Sequence, residues 1–226
     1  MLGLPIGLLV LVVVTILILS GIAQRVLDRM KMDDRTALVL ILAMLVGGLL
    51  PDLPLGRTLS INVGGGLIPV AICLYLFVTA GTAKERWRTV MAVAATTGAV
   101  YLVSAFLPSD PATMILDPIY TFSLIAGITA YLFGRSRRGA FIAGVLGIVL
   151  NDVIYGLLLL MGPFTGQTVI GGAGIFDAVV LTGLLAVLLA ELVGETREKI
   201  QGGPAPITEN RPQGLKAPGR SDNDEE

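Results

Sequence analysis

The chain has 226 residues, 54% of them hydrophobic and only 15% charged, with 16 Lys and Arg against 17 Asp and Glu, no histidine and one cysteine. A mean hydropathy of +0.82 is far too apolar for a soluble domain with a polar surface. The composition excludes His-assisted serine or cysteine catalysis, HExxH zinc hydrolysis and any intramolecular disulfide, and it offers neither a cofactor motif nor a basic surface for nucleic acid.

Seven apolar runs approach the roughly 20 residues that a membrane-crossing helix needs: 4–23, 36–50, 61–83, 89–107, 118–133, 140–161 and 175–193. The first is preceded by no positive charge and followed by a basic cluster. It therefore reads as a retained helix rather than a signal peptide, although Gly21-Ile22-Ala23 offers small residues for cleavage. Arg25, Arg29, Lys31 and Arg35 follow the first run, Lys84, Arg86 and Arg88 the third, and Arg135, Arg137 and Arg138 the fifth. Arg197, Lys199, Arg211, Lys216 and Arg220 follow the seventh, so every basic residue except Arg57 falls on alternate loops. Because cytoplasmic loops collect Lys and Arg, the N-terminus is expected outside and the C-terminus in the cytoplasm.

The expected fold class is thus all-α: a polytopic membrane helix bundle of about seven transmembrane helices over residues 1–195, in the cytoplasmic membrane with the lipid bilayer as its first partner. Residues 196–226 carry Pro204, Pro206, Pro212 and Pro218 and end Asp222-Asn223-Asp224-Glu225-Glu226, a composition expected to form a disordered cytoplasmic tail. Cys73 reads as a packing residue, Trp87 as an interfacial anchor, and Glu191 as a snorkelling or helix-pairing group.

Placing the unusual residues by depth brings them together on the outer side. The third run enters through Asn62, Gly64, Gly65, Gly66 and Pro69, which reads as a close helix contact or a broken helix beside a cavity. The fourth loop delivers Asp117-Pro118 to the mouth of the fifth run. Asp152 lies in the sixth, just outside the midplane, and the seventh enters through Gly171, Gly172 and Gly174 and then Asp177. An outward-facing polar cavity walled by runs three, five, six and seven is the expected arrangement. On the sixth run, about 100° per residue puts Gly144, Gly147, Asn151 and Tyr155 on one stripe with Asp152 at its border, and Asn151 and Tyr155 are expected to hydrogen-bond across a close contact.

An aspartate within an apolar span marks a functional site by default, because a charge in hydrocarbon costs several kcal/mol, roughly 2.5 to 3.5 on insertion scales. Two carboxylates that share a proton can act as base toward water and acid toward a leaving group, so Asp152 and Asp177 are the candidate catalytic pair. Glycine-broken helices beside buried carboxylates equally suit a cation- or proton-coupled carrier, with a small cation as the partner in place of a transmembrane-helix substrate. A non-catalytic scaffold is the third reading, and it would tolerate Asn at both positions.

The strings Ile61-Asn62-Val63-Gly64-Gly65-Gly66-Leu67-Ile68-Pro69 and Ile170-Gly171-Gly172-Ala173-Gly174-Ile175-Phe176-Asp177, with Asp152 between them, resemble the uncharacterised prokaryotic membrane family catalogued as domain of unknown function 1614. The sixth- and seventh-run aspartates are also distantly similar to the GxGD intramembrane aspartyl proteases, the presenilin and signal peptide peptidase group, which implies a catalytic dyad of Asp152 and Asp177. Three features depart from that group. Ile175 and Phe176 separate Gly174 from Asp177, Asn151 precedes Asp152 where the group has Tyr, and no Pro-Ala-Leu motif is present.

Overall fold

The computed structural model describes residues 34–106, 118–163 and 166–200. The first predicted span, the tail beyond residue 200 and Asp117 lie outside the described residues. The chain divides into two compact units, residues 1–192 and 193–226, and all but the last residues of the final helix belong to the first. Six α-helices are described: α1 (Asp34–Gly48), α2 (Ile68–Val78), α3 (Ala83–Phe106), α4 (Pro118–Gly134), α5 (Arg137–Met161) and α6 (Ala178–Ile200). Each occupies one of the apolar runs from the second to the seventh. With 24 and 25 residues, α3 and α5 are long and apolar enough to cross a membrane, and the other apolar helices are shorter.

Helices α3, α4 and α5 pack against one another through small and hydroxyl residues. On α4, Ser123, Ala126, Gly127, Ala130 and Gly134 are buried. Leu124, Ile128 and Leu132 point the other way, exposed at 47, 42 and 57%, while Phe122 packs against the core. One buried cluster consists entirely of alanines, Ala92, Ala130, Ala140, Ala143 and Ala186, which lets four helices approach closely. Three buried hydroxyls of α3 and α4 find acceptors one turn back: Thr96 Oγ1 donates to Ala92 O at 2.9 Å, Thr97 Oγ1 to Val93 O at 3.0 Å and Ser123 Oγ to Ile119 O at 2.6 Å. Each of these three is thereby satisfied within its own helix, and Thr97 Oγ1 also reaches Gly147 O of α5 at 3.3 Å.

The all-α expectation omits one element. A three-stranded sheet joins β1 (Leu53–Pro54), β2 (Leu59–Ile61) and β3 (Thr168–Ile170), with β2 central. β1 is antiparallel to β2, while β2 and β3 run parallel in the register Leu59↔Thr168, Ser60↔Val169, Ile61↔Ile170. Asn62 N–H extends the ladder to Ile170 O at 2.9 Å, and Thr168 N–H reaches Thr58 O at 2.8 Å. Each parallel strand runs directly into a glycine-rich turn and then a helix. β2 leads through a π-helical turn (Val63–Leu67) to α2, and β3 leads through Gly171–Gly174 and a 3-10 turn (Gly174–Phe176) to α6.

Candidate functional site

The two glycine strings meet each other backbone to backbone. A Cβ on Gly65 would overlap Gly171 O and stand 2.5 Å from Gly174 O, and one on Gly66 would stand 2.8 Å from Ile170 O. Gly64 faces a third segment that sequence reasoning missed, the end of α1, where its Cβ would overlap Met44 O and Gly48 N. Gly171 and Gly174 adopt left-handed conformations, with φ of 72° and 61°, that strain any residue bearing a Cβ. The close-contact reading of Asn62 to Pro69 is therefore the one that describes these glycines. Gly172 stands apart, exposed beside Val169.

Asn62 fixes the first of these turns. Its Oδ1 accepts N–H donors from Gly64 at 2.9 Å and Gly65 at 3.0 Å, satisfying orphan amides at a helical start, while its Nδ2 donates to Asp52 Oδ1 at 2.9 Å. Asp52, between α1 and β1, is a partner that the sequence reading passed over. Pro69 lies buried in the first turn of α2, where a missing N–H has no cost.

Asp177 fixes the second turn in the same way. Its Oδ1 accepts Val179 N–H at 2.9 Å and its Oδ2 accepts Ala173 N–H at 3.1 Å, so the carboxylate caps α6 and ties it back to the glycine turn. The two residues that separate Gly174 from Asp177 form the 3-10 turn, and Asp177 itself is extended (φ −68°, ψ 153°). Their insertion therefore falls in a single 3-10 turn ahead of α6 rather than within an α-helix. Asp152, partly buried on α5, lies within electrostatic range of Asp177.

Between α5 and α6 runs a polar seam. Residues seven apart on a helix differ by only about 20°, so Arg137, Gly144 and Asn151 lie along one line of α5. Arg137 forms an ion pair with buried Glu191, and a Cβ on Gly144 would meet Thr182 Cγ2 at 3.0 Å. The helices are thus antiparallel, and Asn151 lies toward the end that Asp177 caps. Asn151 is only 8% exposed and Thr182 is fully buried. Among the described residues neither Asn151 Oδ1 nor Thr182 Oγ1 has a hydrogen-bond partner.

The predicted stripe on α5 divides between two neighbours. Gly144 meets α6, whereas a Cβ on Gly147 would meet Thr96 Cβ of α3 at 2.8 Å. Tyr155 is 41% exposed, and its hydroxyl donates toward Ser104 Oγ of α3 at 3.5 Å, away from the seam. Gly156 is the buried residue at that level, its carbonyl accepting from Thr58 Oγ1 at 2.8 Å. Glu191, expected to snorkel or pair, pairs.

A family model described as a protein of unknown function (DUF1614) matches residues 26–189. No curated protein and no solved structure matches the chain significantly.

Proposed function

The chain belongs to the DUF1614 family, whose description brings no activity with it, and on that footing we propose that it is a polytopic membrane protein that binds and moves a small cation. The membrane reading rests on helices that turn their large apolar side chains outward. Met91 and Leu102 of α3, Leu124 and Leu132 of α4, and Leu157 and Leu160 of α5 are exposed, while glycine, alanine and hydroxyl residues share the interior with a smaller set of buried aliphatics such as Leu76, Val100, Ile142 and Val145. Apolar surface on that scale is tolerated in hydrocarbon and not in water. With the alternation of basic loops it supports seven spans in the cytoplasmic membrane, N-terminus outside.

The transport reading is carried by one observation: both oxygens of Asp177 are directed at backbone N–H donors, at the break between a glycine-rich turn and α6. Such a carboxylate is a structural cap that holds the glycine-rich turn in a fixed orientation beside Asp152, and it is not free to exchange a proton. A hydrolytic pair requires one oxygen directed at its partner carboxylate and free to exchange a proton with it. The repeated order of strand, glycine-rich turn and helix, run in parallel at β2–α2 and β3–α6, adds the internal repeat typical of carriers. What favours the hydrolytic alternative is the electrostatic proximity of Asp152 to Asp177.

Two assays on one preparation separate these readings. The full chain is reconstituted in liposomes as wild type, Asp152→Asn and Asp177→Asn, and both cation flux and cleavage of transmembrane-helix peptides are followed. Flux in wild type, lost in Asp152→Asn and reduced in Asp177→Asn, which loses one acceptor of the turn before α6, is the expected result. Cleavage lost in both variants with no flux establishes the hydrolase instead, and wild type that does neither leaves a scaffold.

A further inference from the structure

We propose that the ion is a dehydrated monovalent metal cation of the sodium class, that the Asn151 Oδ1 and Asp152 carboxylate oxygens coordinate it, and that the Thr182 hydroxyl is the next oxygen along the α5–α6 seam. This inference rests on the cation-binding reading above and adds the identity of the ion and of its ligands.

Asn151 Oδ1 is buried and accepts no hydrogen bond among the described residues. A buried carbonyl oxygen in that condition is destabilising unless something electropositive meets it. It lies one residue from Asp152 and on the line of α5 that faces α6, toward the end where Asp177 sits. Among the described residues no basic side chain forms an ion pair with either aspartate. Arg137, on the same line, is engaged by Glu191 about 21 Å away along the helix axis.

The donor set selects the ion. An amide oxygen is not a proton carrier, so a buried, unpartnered one is of no use to proton transfer, whereas amide, carboxylate and hydroxyl oxygens are the ligands hard metal cations take. Both Asp177 oxygens are already directed at backbone donors, which leaves Asp152 as the one negative ligand and matches a single positive charge. Thr182 Oγ1 is the second unpartnered oxygen of the seam, level with Gly144 and two turns of α5 inward from Asn151. An ion leaving Asn151 toward the interior meets it next.

The test is equilibrium stability of the purified full chain in detergent, titrated with NaCl against choline chloride at equal ionic strength. Ligand that binds only the folded state raises the Tm by mass action. Wild type is expected to show a sodium-specific rise. Asn151→Leu, similar in volume and without the oxygen, should need at least tenfold more sodium for the same shift. Asn151→Asp, which keeps an oxygen, should retain the shift, and Thr182→Val should weaken it severalfold. Equal Tm in sodium and choline overturns the proposal with wild type alone, even if Asn151→Leu fails to fold, and so does an unchanged shift in Asn151→Leu. A sodium shift that depends on Asn151 without sodium flux in liposomes leaves this site standing and removes the carrier. Proton flux that Asn151→Leu leaves untouched does the reverse.

Discussion

Asp177 and Asn62 play the same part at two places, a short polar side chain that satisfies the amides of a glycine-rich turn before a helix. Asp177→Ala removes both acceptors and should lower stability by about 1 kcal/mol, the usual cost of a lost N-cap. Asp177→Asn retains an oxygen for Val179 N–H and should lose less. Chemical denaturation in micelles, compared with Asp152→Asn, which removes no cap, reads the difference; equal losses in Asp177→Ala and Asp152→Asn would remove the capping role. The glycines divide as sharply. Gly65→Ala drives a methyl into backbone carbonyls that have no rotamer to escape through, and should cost about 3 kcal/mol, at the upper end of overpacking. Gly81 has open space around its would-be Cβ, so Gly81→Ala should stay within about 0.5 kcal/mol of wild type. Thermal melts of the two variants check this directly, and an equal effect would show the glycine junction to be loose.

At the scale of elements, α5 and α6 are held by a buried ion pair at one end and by glycine contacts along the middle. Arg137→Met leaves the Glu191 carboxylate buried without its partner, and should destabilise by about 3 to 5 kcal/mol. The double variant Arg137→Met with Glu191→Leu replaces the pair by apolar volume and should recover most of that loss. A double-mutant cycle measured by denaturant unfolding gives the coupling, and a double variant no better than the single would place the cost in packing instead of charge. Helix positions were legible in the sequence because apolar runs declare themselves by length, and Pro118 and Met161 bound their helices as read. The site residues were legible as types but not as arrangements. Asp177 stood out as a charge in an apolar run, yet nothing in its neighbourhood says that Ala173 and Val179 both donate to it. The parallel pairing of β2 with β3 joins segments remote in sequence, and strands of two or three residues are too short for alternation to reveal. Gly47 and Gly48 were invisible for the opposite reason: at the end of an apolar helix, glycine looks like ordinary termination.

For the molecule as a whole, the orientation assigned from basic residues is open to direct measurement. Gly56 lies in the loop read as external, and Gly81, at the end of the run read as 61–83 that leads into the loop read as cytoplasmic, lies beyond the end of α2 at Val78; a Cβ at either meets nothing. The native Cys73 is buried and is expected to stay unlabelled. Gly56→Cys in intact cells should be modified by an impermeant maleimide, and Gly81→Cys only after the membrane is opened. The opposite pattern would invert the topology while leaving the fold unchanged.

The central place of β2 in the sheet sets an order of events during synthesis. Its β1 neighbour is close in sequence and is available at once, but its other edge waits for β3, which emerges only after α5. Until then a nascent chain presents an open strand edge and the unmatched glycine face of the π turn. The sheet therefore closes only after α5 has been made, and any chain cut short before Thr168 carries an unpaired edge of the kind that invites association.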